Sequence, residues 1–134
     1  NNIGKTDAAC SRFVVFGPGI NDLSESWATS AARMAACKAG LTHGQIMLVR
    51  EILPDNSAPS GAVAARNLLR NAWCAANGAI VIPMHDAFAQ IRTSTGLLED
   101  LKAAYDAGDG IHHSLAGKQK MAELELVVLD TLTW

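Results

Sequence analysis

A chain of 134 residues that is 49% hydrophobic supports one modest core. Its net charge of −2, with 11 basic side chains dispersed among 13 acidic ones, offers no stripe for nucleic acid and no basic face for a membrane. No apolar run approaches the roughly 18–20 residues that span a bilayer, and the polar start Asn1-Asn2-Ile3-Gly4-Lys5 does not read as a signal peptide, so one soluble domain over residues 1–134 is expected.

Arg12-Phe13-Val14-Val15-Phe16 is a short apolar run stopped by Gly17-Pro18-Gly19, the pattern of a buried strand ending in a tight turn. Trp27, Ala31, Met34 and Ala35 then recur at helical spacing, and Gly40 stands where a left-handed cap would close that helix. Gln45 to Val49 reads as a second buried strand. Residues 55–60, rich in Pro, Ser and Asn, read as a loop whose Ser60 caps a helix beginning near Gly61. In that helix Ala65, Leu69, Ala72 and Ala76 form one stripe, Arg66 and Arg70 lie off it, and Gly78 ends it.

Ala79-Ile80-Val81-Ile82-Pro83 is too short for a helix and reads as a third strand. The spacing of Leu97, Leu101, Ala104 and Tyr105 predicts a helix that stops before Gly108-Asp109-Gly110. A last helix starts after Ser114 with Met121, Leu124, Val128 and Leu132 on one face. Short apolar strands alternating with helices imply an α/β fold with a parallel sheet covered on both faces, whose functional loops gather at the C-terminal strand ends. Cys10, Cys37 and Cys74 lie among apolar residues without the paired spacing of zinc ligands, so buried free thiols are expected.

Two segments carry chemistry. Asp109 precedes His112 by three residues at the mouth of the last helix. An Asp so placed can accept the Nδ1 proton of the imidazole, fix its tautomer and leave Nε2 free to take a proton from a nucleophile. Alone, the same spacing also suits solvated polarity or helix capping. The second segment is Gly19-Ile20-Asn21-Asp22, at the end of the first strand. The Asn21 amide is a suitable oxyanion donor, since it stabilises developing charge without competing for a proton; the alternative is a turn in which Asn21 or Asp22 caps the next helix. His85, after the third strand, is either a substrate contact or a locally bonded turn residue, and His43 reads as surface polarity. Zinc-ligand spacing is absent from His85, Asp109 and His112, so neither a metal nor a cofactor is expected.

A strand ending in Gly19-Ile20-Asn21-Asp22, two strand–helix units, and Asp109-x-x-His112 opening the final helix together resemble the SGNH or GDSL hydrolase family. The resemblance covers nearly the whole chain, including Asn67-Leu68-Leu69-Arg70 and the stretch from Leu115 to Ala122. It implies a flavodoxin-like three-layer α/β/α fold with Asn21 as oxyanion donor, Gly19 admitting the backbone to the site, His112 as general base and Asp109 as its orienting acid. Asp22 would hold the turn. The sequence departs from the family at His113, where proline is usual, and in lacking the Gly-Asp-Ser nucleophile strand and the oxyanion glycine that follows it; Asn2 to Thr6 is the candidate remnant of the glycine segment. Ser114, Ser24 and Ser26 read as helix-opening residues rather than nucleophiles.

The resemblance therefore implies the C-terminal part of a serine ester hydrolase, incomplete at its N-terminus. Its substrate class would be O-acetyl or other short acyl esters, on carbohydrate, because family members often act as acetylesterases on polysaccharides, including modules on phage tail fibres. A secreted or virion-associated setting fits that class. The expected partners are the ester substrate and a companion polypeptide segment or a second copy, with no nucleic acid and no membrane. The alternative is a non-catalytic module that binds glycan or assists assembly.

Overall fold

The computed structural model describes residues 12–17 and 23–132. Strands β1 (Phe13–Phe16), β2 (Ile46–Arg50) and β3 (Ile80–Ile82) form a parallel sheet in the order β1-β2-β3, with Phe13 opposite Ile46 and Leu48 opposite Ile80. Continuous apolar runs make these strands because both faces of the sheet are covered. On one face helices α1 (Trp27–Ala39) and α2 (Ala62–Asn77) enclose Met34, Cys37, Met47, Val49 and Cys74. On the other, helix α4 (Leu115–Asp130) lays Met121, Leu124 and Val128, with Leu132 just beyond its end, over Leu48, Ile82 and Met84. The result is the three-layer arrangement expected from the sequence. Cys37 and Cys74 are buried and free, and burial pushes both thiols up from their ordinary pKa; Cys10 lies outside the described residues.

The hairpin, the buried face of α2 and the end of α1 depart from expectation. The helix predicted from Leu97, Leu101, Ala104 and Tyr105 is absent. Instead a one-turn helix α3 (His85–Phe88) leads into an antiparallel hairpin of β4 (Ala89–Ile91) and β5 (Leu98–Leu101). Gly96, at φ +70°, turns the chain, and the Arg92 guanidinium holds Asp100 at 2.5 Å across the hairpin. The stripe expected to face the core in α2 is also wrong. Ala65, Leu69, Ala72 and Ala76 are exposed, whereas Val63, Asn67, Arg70 and Cys74 are buried. Apolar count misleads here because the buried face contains polar side chains, of which Asn67 bonds to the backbone after β2. Lastly, Gly40 closes α1 with a right-handed φ of −77°, its N–H reaching the carbonyls of Ala36 and Cys37 at 3.2 Å each.

The helix starts show how remote residues fix local structure. Ser26 and Ser114 cap α1 and α4, accepting from the N–H groups of Thr29 at 3.1 Å and Gly117 at 3.2 Å. Ser60 does not cap α2. Its hydroxyl donates to Glu99, and the same carboxylate accepts the Gly61 N–H at 2.8 Å, so a residue of β5 caps α2. A carboxylate at a helix N-terminus also meets the positive end of the helix dipole. Hydrogen bonds from the Thr95 hydroxyl, first of all, and then from Gly61 and Ser60 hold the Glu99 carboxyl below its usual range.

Candidate active site

The sheet delivers β1, β2 and β3 with their C-terminal ends on one side, and the loop before α4 comes down onto that edge. The loop is shaped by two carboxylates acting in series. Asp106 Oδ1 accepts from the N–H groups of Gly108, Asp109 and Gly110 at 2.8, 3.2 and 2.9 Å. Asp109 Oδ1 then accepts from Ile111 and His112 at 2.9 and 2.7 Å, leaving Oδ2 to meet His112 Nδ1 at 2.5 Å. A carboxylate only accepts, so Nδ1 carries the proton. Nε2 receives no hydrogen bond among the described residues. This is the tautomer and orientation a general base requires.

Electrostatics follow the geometry. The hydrogen bond from the His112 ring, with those from the backbone N–H groups of His112 and Ile111, holds the Asp109 carboxyl far below the usual carboxylate range. The same bond raises the His112 pKa, with the negative charge of Asp109 as a second cause. The pair is open to solvent: the His112 side chain is 77% exposed and that of Asp109 50%. The neighbouring His113 behaves oppositely. Its ring stands edge-on to Phe88 at 5.7 Å, and burial, aided by His112, lowers its pKa.

A second element braces the loop. The Asn56 N–H donates to the Gly110 carbonyl at 3.0 Å, while Asn56 Oδ1 accepts from the Leu101 N–H at 2.8 Å, joining the β2–α2 loop to β5 and to the Asp109 loop. Gly110 has φ +74°, and a Cβ there would lie 2.7 Å from Asn56 Nδ2, so both its conformation and its space require glycine. Sequence reasoning overlooked Asp106 and Asn56. The run Asp106-x-Gly108-Asp109-Gly110 carries a readable signal for carboxylates that bind the backbone of their own turn.

Beside the pair lies a cavity of about 200 Å³ walled by Ile52, Leu53, Pro54, Met84, Ile111 and His113. Gly17, at the end of β1, also lines it, so the exit of the first strand and the loop before α4 share one cleft. Asn21 and Gly19, the expected oxyanion residues, lie outside the described residues, as does Asp22. His85 sits at the same sheet edge in a separate cavity, with its Nδ1 2.9 Å from Asp86 Oδ1. His43 is at the surface, bonded through Nδ1 to the Thr42 hydroxyl at 3.1 Å. Ser114 and Ser26 are caps, as expected, and no described serine hydrogen-bonds to the His112 ring. Among the described residues no cluster of His, Cys, Asp and Glu could hold a metal ion, and no helix is long and apolar enough to cross a membrane.

The order of strands and helices, the parallel sheet and the final helix opened by the Asp109–His112 loop define the fold class of the SGNH or GDSL hydrolases. Solved structures of that class match this chain closely in shape. A GDSL-like lipase from Bacteroides thetaiotaomicron VPI-5482 superposes with a TM-score of 0.70 at 18% identity, covering 90% of this chain and 63% of its own. A carbohydrate esterase family 3 protein from Talaromyces cellulolyticus gives 0.71 at 15% identity, over 99% of this chain and 66% of its own. A member of the lipolytic protein G-D-S-L family from Veillonella parvula DSM 2008 gives 0.68 at 17%, over 98% and 72%. The chain thus spans about two thirds of the length of these neighbours. No protein-family model and no curated protein matches the sequence.

Proposed function

We propose that this chain is the base-bearing part of a serine ester hydrolase that removes O-acetyl or other short acyl groups from carbohydrate. The observation that carries the reading is the Asp109–His112 pair, with Nδ1 tied at 2.5 Å and Nε2 open at the C-terminal edge of a parallel sheet. In this reading a serine hydroxyl, supplied by an upstream or companion segment, attacks the ester carbonyl while His112 Nε2 takes its proton. Asn21 and the Gly19 backbone stabilise the oxyanion. As the intermediate collapses, the ester C–O bond breaks, the proton passes from Nε2 to the leaving sugar oxygen, and the acyl group remains on the serine. Water, deprotonated by the same nitrogen, then releases the acid.

Two features support a companion. Helix α4 exposes Leu115, Leu126 and Val127, and β1 borders the sheet among the described residues. Apolar surface of that kind invites a covering segment or a second copy. His85 is the proposed substrate contact. One observation favours a non-catalytic glycan-binding or assembly module: no described serine bonds to the base. The test is His112→Ala in the complete protein, with hydrolysis of acetylated oligosaccharide as readout. Loss of most turnover with the fold retained supports the esterase. Turnover near that of the parent overturns it.

A further inference from the structure

Arg92, directly after β4, makes more contacts than its hairpin requires. Its side chain is 16% exposed. Nε donates to Asp100 at 2.5 Å and Nη1 stands 3.4 Å from Glu99 Oε1, both on β5. The outer nitrogens also reach out of the hairpin: Nη1 donates to the Ala58 carbonyl at 3.1 Å, and Nη2 to the carbonyls of Asp55 and Asn56 at 3.2 and 3.3 Å. One planar guanidinium thus spans three carbonyls of the β2–α2 loop while Nε is pinned on β5. Only arginine offers donors in so rigid a fork, and it keeps its charge. The hairpin closes without these outer bonds, since β4 and β5 pair through their own ladder and the Gly96 N–H reaches the Arg92 carbonyl at 2.8 Å.

The clamped loop meets the Asp109–His112 loop at two points. Asn56, whose carbonyl accepts from Arg92, gives its own N–H to the Gly110 carbonyl at 3.0 Å, so two hydrogen bonds in series join Arg92 to the turn between Asp109 and His112. Asp55, whose carbonyl accepts from the same nitrogen, is 2% exposed and lines the cleft with Ile111 and His113. The Ser57 N–H and hydroxyl donate to Asp55 Oδ1 at 2.7 and 2.5 Å, so that carboxylate moves with its loop. After Asp109, the negative charge of Asp55 is a further cause that raises His112. We propose that Arg92 is a positioning residue for His112: its guanidinium locks residues 55–58 against the hairpin, and that loop in turn sets the Gly110 turn and the Asp55 carboxylate in the cleft beside the pair. The consequence for catalysis rests on the reading of His112 as general base, whereas the positioning itself is measured without turnover.

The experiment is an NMR titration of His112 in the complete protein and in Arg92→Lys, which keeps a charge beside Asp100 but cannot span three carbonyls. His112 should titrate below its parent value, because Asp55 is no longer held, though by less than in Asp109→Asn, and its ring signals should broaden. Asp55→Asn should also lower the midpoint, and adding Arg92→Lys to it should lower it no further, as expected of two residues on one path. Asp100→Asn removes the ion pair within the hairpin and leaves the carbonyl contacts, so its His112 should titrate as in the parent. The methyl of Met34, buried in the core under α1, reports that the fold is kept in each variant. If Arg92→Lys does not fold, the unaltered protein decides: the Arg92 Nε–H signal should follow the His112 midpoint and move with it in Asp109→Asn. A parent-like titration in folded Arg92→Lys, an equal fall in Asp100→Asn, additive effects of Arg92→Lys and Asp55→Asn, or an Arg92 signal blind to the His112 midpoint would each overturn the proposal. Those results leave the esterase reading standing, whereas parent-level turnover in His112→Ala removes that reading and not the clamp.

Discussion

Replacing Asn67 by leucine should unfold this protein far more readily than its conservative size suggests. Asn67 is buried in α2, and its amide spans the backbone of Ile52, accepting the N–H at 2.8 Å and donating to the carbonyl at 2.9 Å. It therefore completes the hydrogen bonding of the chain just where β2 ends and the loop bearing Asp55 and Asn56 begins. Leucine fills the volume but leaves two buried backbone groups unmet, at about 1–3 kcal/mol each. The gain from a more apolar side chain offsets part of this, so a net loss of about 2–4 kcal/mol is expected. Urea unfolding followed by circular dichroism checks the value, with the midpoint falling and the slope unchanged. Because Asn56 braces Gly110, the loosening should also broaden the His112 resonances. A loss below about 1 kcal/mol would refute the argument that this amide is what satisfies the exit of β2.

Gly110→Ala should displace the Asp109 loop, whereas Gly96→Ala, also at positive φ but with nothing within 4 Å of its added Cβ, should cost only the left-handed backbone term of about 1–2 kcal/mol. A difference between the two in thermal unfolding and in the His112 chemical shift measures the contact with Asn56. Phe88→Ala removes a fully buried ring that packs at 4.8 Å on Tyr105 and meets His113, and should cost about 3–5 kcal/mol in denaturant unfolding. The pH dependence has a definite sign. His112 is raised by Asp109, so its share of stability is complete below about pH 6.5 and is lost as pH rises through the folded value. Asp109 is depressed, so its share is present above about pH 4 and is lost as pH falls toward its folded value. NMR titration should place the His112 pKa above its ordinary value and return it downward in Asp109→Asn, with the alkaline-rising limb of any esterase activity moving the same way.

The three strands and the final helix were legible in the sequence because apolar runs and the face of Met121, Leu124 and Val128 answer to burial alone. The Asp109–His112 pair was legible because all its contacts fall within four residues. The hairpin was not. Leu97, Leu101 and Tyr105 keep a helical spacing, and the decision for strands rests on the Gly96 turn and on Arg92 reaching Asp100, eight residues away. The buried face of α2 was hidden for a similar reason. Asn67 is tolerable inside only because Ile52, fifteen residues earlier in the chain, presents both a donor and an acceptor to it. The cap of α2 by Glu99 spans 38 residues, beyond any local pattern.

The central claim is that His112 serves a serine carried outside the serines described here. Fluorophosphonate labelling of the purified complete protein, with the labelled peptide identified by mass spectrometry, tests it most directly. The account predicts label on a serine of an upstream or companion segment, and its loss in His112→Ala. Label on Ser114 or any other described serine, or no label on any segment, would contradict it.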